Sequence, residues 1–420
     1  MPLRHAPKRI AIFGLPFSPN LGDVLVAECI RKELLTHFPD AVIENFDVSG
    51  RQKPHSPARL LLRRAILKVL VFLPKRMRSP LVLIFTRMRI YLNPRWRTME
   101  FLSDCDFAVI GGGQLFRDNN LFMPVLLNHL CRRLNYYQKP FSIFSCGVTP
   151  GWSDTGKRLF LEVLNNPGNL LTAVRDDLSY QSLLEIWGPQ PMKNVMIAPD
   201  PAFLCPNNET RGAAHRRTVG FGLISPLILQ YYGDHWDKLE LKDFKKHCVS
   251  VALTMLREGY HVVLFSDGSP EDQSFARWVY SKILNSSDDI DVRRVTLSPR
   301  CSNTEDLIGW IRSMDLAIAY RMHAHIIAFT QGVPSLILGW DSKLEGFVRL
   351  TDSMSRYIVE HNPAPCSVAS LASDAMAEKR DDTLRRTVVD NTRSAFEKLA
   401  SVLGNSMRSA STWSQSCKRW

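Results

Sequence analysis

The run Tyr320-Arg321-Met322-His323-Ala324-His325 carries the residue types best suited to chemistry in this chain. Arg321 offers a planar cation that fits a carboxylate or phosphate through paired hydrogen bonds. His323, two residues on, titrates near neutral pH and can give or take a proton. The apolar run Leu316–Ala319 before them reads as a strand, and Ile326–Phe329 after them as a helix. Cation and imidazole therefore fall where a strand hands over to a helix. Open α/β sheets bind ligands at that place, and a helix N-terminus there favours anions. Gly332-Val333-Pro334, a second strand at Ser335–Leu338 and a further cation, Lys343, follow. The reading is an anion site that carries an acid/base group. His325 falls on the buried side of the new helix and is set aside.

Other constellations also sit at strand ends. In Asn20-Leu21-Gly22-Asp23 the Asn20 side chain can bond loop amides, Gly22 permits a tight turn, and Asp23 can cap the next helix. Gly111-Gly112-Gly113 follows a strand, and its backbone amides can approach a phosphate or sugar. Arg175 ends another strand beside Asp176 and Asp177. A structural ion pair and a cation aimed into a cleft both fit it. Asp200, between two prolines, reads as a capping or orienting carboxylate. None of this is a Walker loop or a complete G-x-G-x-x-G, so no nucleotide or other cofactor is expected.

Positioning these residues takes two β/α series. Strand Arg9–Phe13 leads through the loop Gly14–Gly22 into a helix over Asp23–His37, and then a strand at Ala41–Phe46. Strand Phe107–Ile110, a helix over Pro124–Asn135, strand Phe141–Ser145, the loop Gly147–Gly151 and strands Leu170–Val174 and Val195–Ile197 complete the first half. Asn207–Arg217 is polar and aperiodic and marks a boundary. The pattern restarts with strand Val219–Leu223, helix Leu241–Arg257, strand His261–Phe265, a helix from Glu271, strand Val292–Leu297 and a helix over Thr304–Ser313. Thr304 with Asp306 looks like a capped start to that last helix. The expected fold class is α/β, two Rossmann-like domains facing a central cleft, similar in architecture to B-type glycosyltransferases. The expected domains are 1–206, 218–350 and a helical extension with a frayed tail over 351–420.

The 420 residues carry a net charge of +12, and the excess is concentrated. Residues 51–99 hold thirteen Lys or Arg and not one Asp or Glu. Apolar clusters such as Val69–Leu73 and Leu81–Phe85 are interleaved with them. That composition suits an insertion lying on an anionic membrane surface; a solvated pair of basic helices is the plainer alternative. No nucleic-acid motif accompanies the charge, so nucleic acid is not an expected partner. No stretch reaches the roughly 20 apolar residues of a spanning helix. The nine cysteines are scattered without a C-x-x-C pair, which points to reduced thiols rather than disulfides or a zinc site. No metal is expected. The expected location is cytoplasmic, peripheral to the inner face of the plasma membrane.

Taken in order, these pieces resemble the polysaccharide pyruvyl transferase family. The pieces are Asn20-x-Gly22-Asp23, Gly111-Gly112-Gly113, the Gly147–Gly151 loop, Arg175-Asp176-x-x-Ser179, Pro199-Asp200-Pro201, Arg321-Met322-His323-Ala324, Gly332-x-Pro334 and Lys343-x-x-Gly346. They cover roughly residues 9–350. Two features depart from the family pattern: Asp341 stands where an aromatic residue is common, and the basic stretch has no counterpart. The resemblance implies transfer of pyruvate from phosphoenolpyruvate to a sugar of a bacterial surface polysaccharide or its lipid-linked precursor. The product would be a ketal, and phosphate would leave. On that reading Arg321 and Lys343 hold the donor, with the Gly111–Gly113 amides or Arg175 contributing. Asn20, Asp23, Gly112 and Gly113 complete the expected substrate contacts, and His323 is the proton-transfer group. Two other readings share the architecture: a B-type glycosyltransferase using a nucleotide-sugar, and a non-catalytic membrane-associated assembly factor.

Overall fold

The computed structural model describes residues 7–53, 65–66, 69–70, 73, 75–118, 120–188, 194–207, 217–233, 241–286, 290–378 and 382–408. The tail from Ser409, most of the 207–217 boundary and part of the basic stretch lie outside them.

Among the described residues, twelve strands form two six-stranded sheets. The first is built from β1 (Arg9–Gly14), β2 (Val42–Asp47), β3 (Phe107–Gly111), β4 (Phe141–Cys146), β5 (Asn169–Val174) and β6 (Val195–Ile197), in the order β2-β1-β3-β4-β5-β6. The second contains β7 (Thr218–Gly222), β8 (His261–Phe265), β9 (Val295–Leu297), β10 (Leu316–Ala319), β11 (Ser335–Leu338) and β12 (Tyr357–Ile358), ordered β12-β11-β10-β7-β8-β9. Every pairing is parallel. Parallel strands need crossovers, and the crossover helices cover both faces, so the strands must be apolar throughout. β3 and β10 meet that demand at every residue: FAVIG and LAIA are wholly buried.

The helix after β1 runs Leu21–His37 and buries Leu25, Val26, Ile30 and Leu34 on one face. It starts at Leu21 rather than Asp23 because the Asn20 side chain caps it, accepting from the Gly22 N–H at 3.2 Å. Asp23 is therefore not the cap; it sits in the first turn and accepts from the Ser18 hydroxyl at 2.8 Å. Likewise Asn303, not Thr304, caps the helix Thr304–Arg312, accepting from the Asp306 N–H at 2.8 Å. Thr304 instead donates to Glu28 across the molecule at 2.6 Å. β9 starts only at Val295, since Val292–Arg294 form a 3-10 turn behind the Asp291 cap.

Each sheet reverses its strand order once, between β1 and β3 in the first and between β7 and β10 in the second. The loops leaving those strands are Leu15–Asn20, Gly112–Gly113, Leu223–Ser225 and Tyr320–Arg321. The C-terminal edges of the two sheets face each other. The Leu21 N–H donates to Asp267 O, after β8, at 2.8 Å, and Asn120 Nδ2, after β3, donates to the Tyr231 hydroxyl at 3.2 Å. The last described helix, Asp382–Arg408, clamps both halves. Its Phe396 packs on Phe144 of β4 with ring centroids 4.6 Å apart, and Arg385 donates to Thr330 O at 3.0 Å. Two Rossmann-like domains thus enclose one seam between their strand ends.

Candidate active site

The seam is lined from the second domain by the residues that follow β10. The helix Met322–Thr330 opens at Arg321, directly past the strand. Arg321 Nε and Nη2 both donate to Asp272 Oδ2, at 3.1 and 2.7 Å. The other oxygen of Asp272 accepts from the Ser225 N–H at 2.7 Å. Arg321 thus has one face fixed and Nη1 outside this pairing. Trp340, past β11, braces this group by donating from Nε1 to Tyr320 O at 2.6 Å. Its ring lies 4.3 Å from Lys343 Nζ and 5.7 Å from the Arg321 carbon. Lys343 also pairs with Asp341 at 2.9 Å. Burial pulls the Lys343 ammonium below its ordinary range, and the Arg321 and Arg117 cations push the same way against Asp341. Cations crowded in a dry place favour an incoming anion.

His323 faces the first domain. A Cβ on Gly22 would run into the imidazole at Nδ1, so only glycine lets helix and ring approach this closely. On the other side His323 Nε2 lies 3.7 Å from Asp200 Oδ2, and Asp200 Oδ2 lies 3.9 Å from Arg175 Nη1. None of these three atoms has a hydrogen-bond partner among the described residues. Burial raises the Asp200 carboxyl, but His323, Arg175 and the Ala202 N–H outweigh it and hold the group below the usual carboxylate range. A carboxylate behind an imidazole fixes the orientation of the ring.

Arg175 does both things the sequence allows. Its Nε pairs with Asp176 at 3.0 Å, and its Nη1 turns toward Asp200 and the seam. Asp176 also caps the next helix by accepting from the Ser179 N–H at 2.8 Å, and the Ser179 hydroxyl accepts from the Val148 N–H at 3.1 Å. A Cβ on Gly346 would sit 2.7 Å from the Asp176 carboxyl, which explains the glycine three residues after Lys343.

Gly112 behaves differently from a ligand cradle. Gly112, at φ +77°, gives its N–H to Phe144 O at 3.0 Å, and a Cβ there would strike Val26. That amide extends the sheet, so the assignment of Gly112 to substrate contact is corrected to packing. Gly113, at φ +69°, stands beside Asp23, where an added Cβ would be 3.8 Å from its Oδ1. Asp23 in turn acts electrostatically on Arg321, which ties the first loop to the anion site. Asn20 serves as the helix cap. His325 is buried, bonds Ala319 O at 2.9 Å, and is driven by burial down to about 4.

Three contributors do not stand out in the sequence: Asp272, Trp340 and Asp267. Asp272 lies in the first turn of a helix, where an acid reads as a dipole partner. Trp340 reads as core. Asp267 precedes a glycine at a strand end, and that signal was available. It is 1% exposed, and its Oδ2 has no hydrogen-bond partner among the described residues. Burial pushes its carboxyl up to about 7, against the pull of Arg321, His323 and Lys343 and with the help of Asp272.

The arrangement offers two cations for a small anion, an imidazole backed by a carboxylate, and a second carboxyl that titrates near neutrality. The family model described as polysaccharide pyruvyl transferase matches residues 20–342. No curated protein matches the chain. Among solved structures, the putative UDP-N-acetylglucosamine 2-epimerase from Listeria monocytogenes superposes with a TM-score of 0.51 at 11% identity, covering 96% of this chain and 97% of that one. A trehalose-6-phosphate synthase, OtsA, gives 0.51 at 9% identity over 98% and 99% of the two chains. An apo OtsA structure gives 0.52 at 9% over 94% and 99%. At such identities the likeness establishes the two-domain fold of B-type glycosyltransferases and related epimerases, and nothing finer.

Proposed function

This chain belongs to the polysaccharide pyruvyl transferase family, and from that premise we propose that it moves pyruvate from phosphoenolpyruvate to a sugar, forming a ketal across two hydroxyls. The observation that carries the proposal is the convergence of Arg321, Lys343 and the His323–Asp200 pair on one interdomain seam.

The donor carries a carboxylate and a phosphate, which require fixed cations. Arg321 Nη1 and Lys343 take them, with Arg175 held in reserve behind Asp200. The enol carbon must gain a proton before C2 becomes electrophilic. The imidazole of His323 supplies it, with Asp200 holding the ring in place. One sugar hydroxyl then attacks C2 and gives its proton to Asp267, whose raised affinity for protons suits a base working near neutrality. The C–O bond to phosphate breaks, and the second hydroxyl closes the ketal. Of the two hydroxyl protons, one replaces the proton spent on the methyl group and the other leaves on phosphate.

Incubation with carbon-13-labelled phosphoenolpyruvate and a lipid-linked oligosaccharide extract tests this directly. Phosphate release matched by a new ketal methyl signal supports it; phosphate release without that signal rejects transfer.

A lipid-linked acceptor would place the enzyme at the inner leaflet, and the basic stretch fits that position. Its described helix, Lys75–Leu92, presents Ile84, Phe85, Met88, Tyr91 and Leu92 to solvent on a single stripe. Phe85 is 66% exposed and Leu92 69%. Exposed Arg87, Arg89, Arg95 and Arg97 flank the stripe. No described helix is long and apolar enough to cross a membrane. Apolar side chains at interfacial depth with arginines among the headgroups are the pattern of surface binding. Co-sedimentation with phosphatidylglycerol vesicles is expected, and it should fall steeply with salt. Failure to co-sediment even at low salt would reject docking.

A further inference from the structure

Beside the seam, at the C-terminal end of β2, lies a cavity of about 150 Å³. That is about half the ~300 Å³ lower bound for a drug-sized pocket. Its size suits one small ring rather than a whole nucleotide.

Four of the twelve lining residues are aromatic, and charged side chains such as Glu44, Arg51 and Arg95 stand among the rest. Phe46 and Phe101 stack with centroids 4.4 Å apart and planes 13° from parallel, and Phe17 and Trp96 complete the aromatic part of the lining. Polar groups stand among them. Trp96 is only 5% exposed, and its Nε1 donor has no partner among the described residues. Neither has the buried acceptor Asn45 Oδ1. Both residues line the cavity. Leaving a buried donor and a buried acceptor unmade is costly, and a ligand that supplies both bonds removes the cost. Asp47, by contrast, is already committed to Arg51 at 2.8 Å and to the Ser49 N–H at 2.9 Å.

We propose that this cavity binds one sugar ring of the acceptor glycan. A pyranose has flat C–H faces that pack on aromatic rings, and a rim of hydroxyls that both donate and accept. The lining residues offer that combination: aromatic side chains beside polar ones, with Trp96 Nε1 and Asn45 Oδ1 still unpartnered among the described residues. Its place in the fold agrees. Phe17 belongs to the loop that carries Ser18 and Asn20 and leads into the helix whose Gly22 packs against His323. Trp96 belongs to the short helix Pro94–Thr98, which directly follows the basic, apolar-striped helix. A glycan held here lies between the proposed membrane face and the catalytic seam. The role as acceptor site rests on the pyruvyl-transfer reading; sugar binding itself does not.

The test is saturation-transfer NMR with methyl glycosides of glucose, galactose, mannose and N-acetylglucosamine, using the wild type, Asn45→Ala and Trp96→Phe. Thermal melts confirm that each variant is folded. Asn45 sits on the edge strand, so its truncation keeps the test usable if Trp96→Phe unfolds. At least one glycoside is expected to bind the wild type, with affinity falling about fivefold or more in Asn45→Ala. Arg321→Ala should leave that binding unchanged. No signal from any glycoside, or a signal untouched by both substitutions, overturns the sugar site. Phosphoenolpyruvate measured in parallel separates the two claims. Stabilisation by it without glycoside binding rejects only the cavity, and glycoside binding without that stabilisation rejects only the donor.

Discussion

Replacing His323 with alanine is expected to lower turnover by about 10²–10⁴-fold while leaving the protein folded, the range for losing a positioned proton donor. The substitution removes the ring that Gly22 accommodates and that Asp200 backs at 3.7 Å. It leaves Arg321, Lys343 and their anchors in place, so phosphoenolpyruvate should still bind. The loss therefore belongs in kcat rather than in donor affinity, as for an interaction made only in the transition state. Asp200→Asn gives an informative comparison. It keeps the Ala202 N–H bond and the shape but removes the charge behind the ring, so turnover should fall while donor affinity is retained. Near-normal turnover in folded His323→Ala would remove His323 from the mechanism.

Asp267→Asn is expected to make the protein more stable and less active at once. The carboxyl sits at about 7 in the folded chain against an ordinary 3.8. The folded state therefore binds more protons than the unfolded state between those values, and stability falls as pH rises through that window. Above it the protein carries the whole cost of an ionised, unpartnered buried carboxylate. At ~1.4 kcal/mol per pH unit, the ceiling is about 4 kcal/mol. Asparagine cannot ionise, so the variant should lose this pH dependence and melt higher than the wild type above neutrality. As a base Asp267 is worth about 10²-fold or more in rate, and its removal should erase the rise in activity on the acid side of the profile. Full activity with higher stability would make the residue structural only; lower stability at pH 8 would contradict the account of its burial.

Much of this was legible in the chain because parallel sheets buried on both faces leave uninterrupted apolar runs. Ile10–Phe13, Phe107–Ile110 and Leu316–Ala319 are such runs, and the residues just beyond them reach the seam. What stayed hidden has physical causes. β12 is two residues long and has no period to detect. Asn20 and Asn303 took the caps from Asp23 and Thr304, and residues of either kind cap equally well in sequence. Gly112 looks like a ligand cradle, but its use depends on Val26 and Phe144, which only the fold brings near. Asp267 and Asp272 gain their meaning from Arg321, 54 and 49 positions away, through burial that spacing does not encode. Arg321 and His323, two residues apart in the chain, stood out; the acids that burial brings to Arg321 from elsewhere in the same domain did not.

Melting of the purified protein with phosphoenolpyruvate, and separately with nucleotide-sugars, tests the central claim most directly. A ligand bound at about 100 times its Kd adds about 2.7 kcal/mol to stability. The account predicts a clear rise in Tm with phosphoenolpyruvate that Arg321→Ala abolishes. A rise with a nucleotide-sugar and none with phosphoenolpyruvate would contradict it.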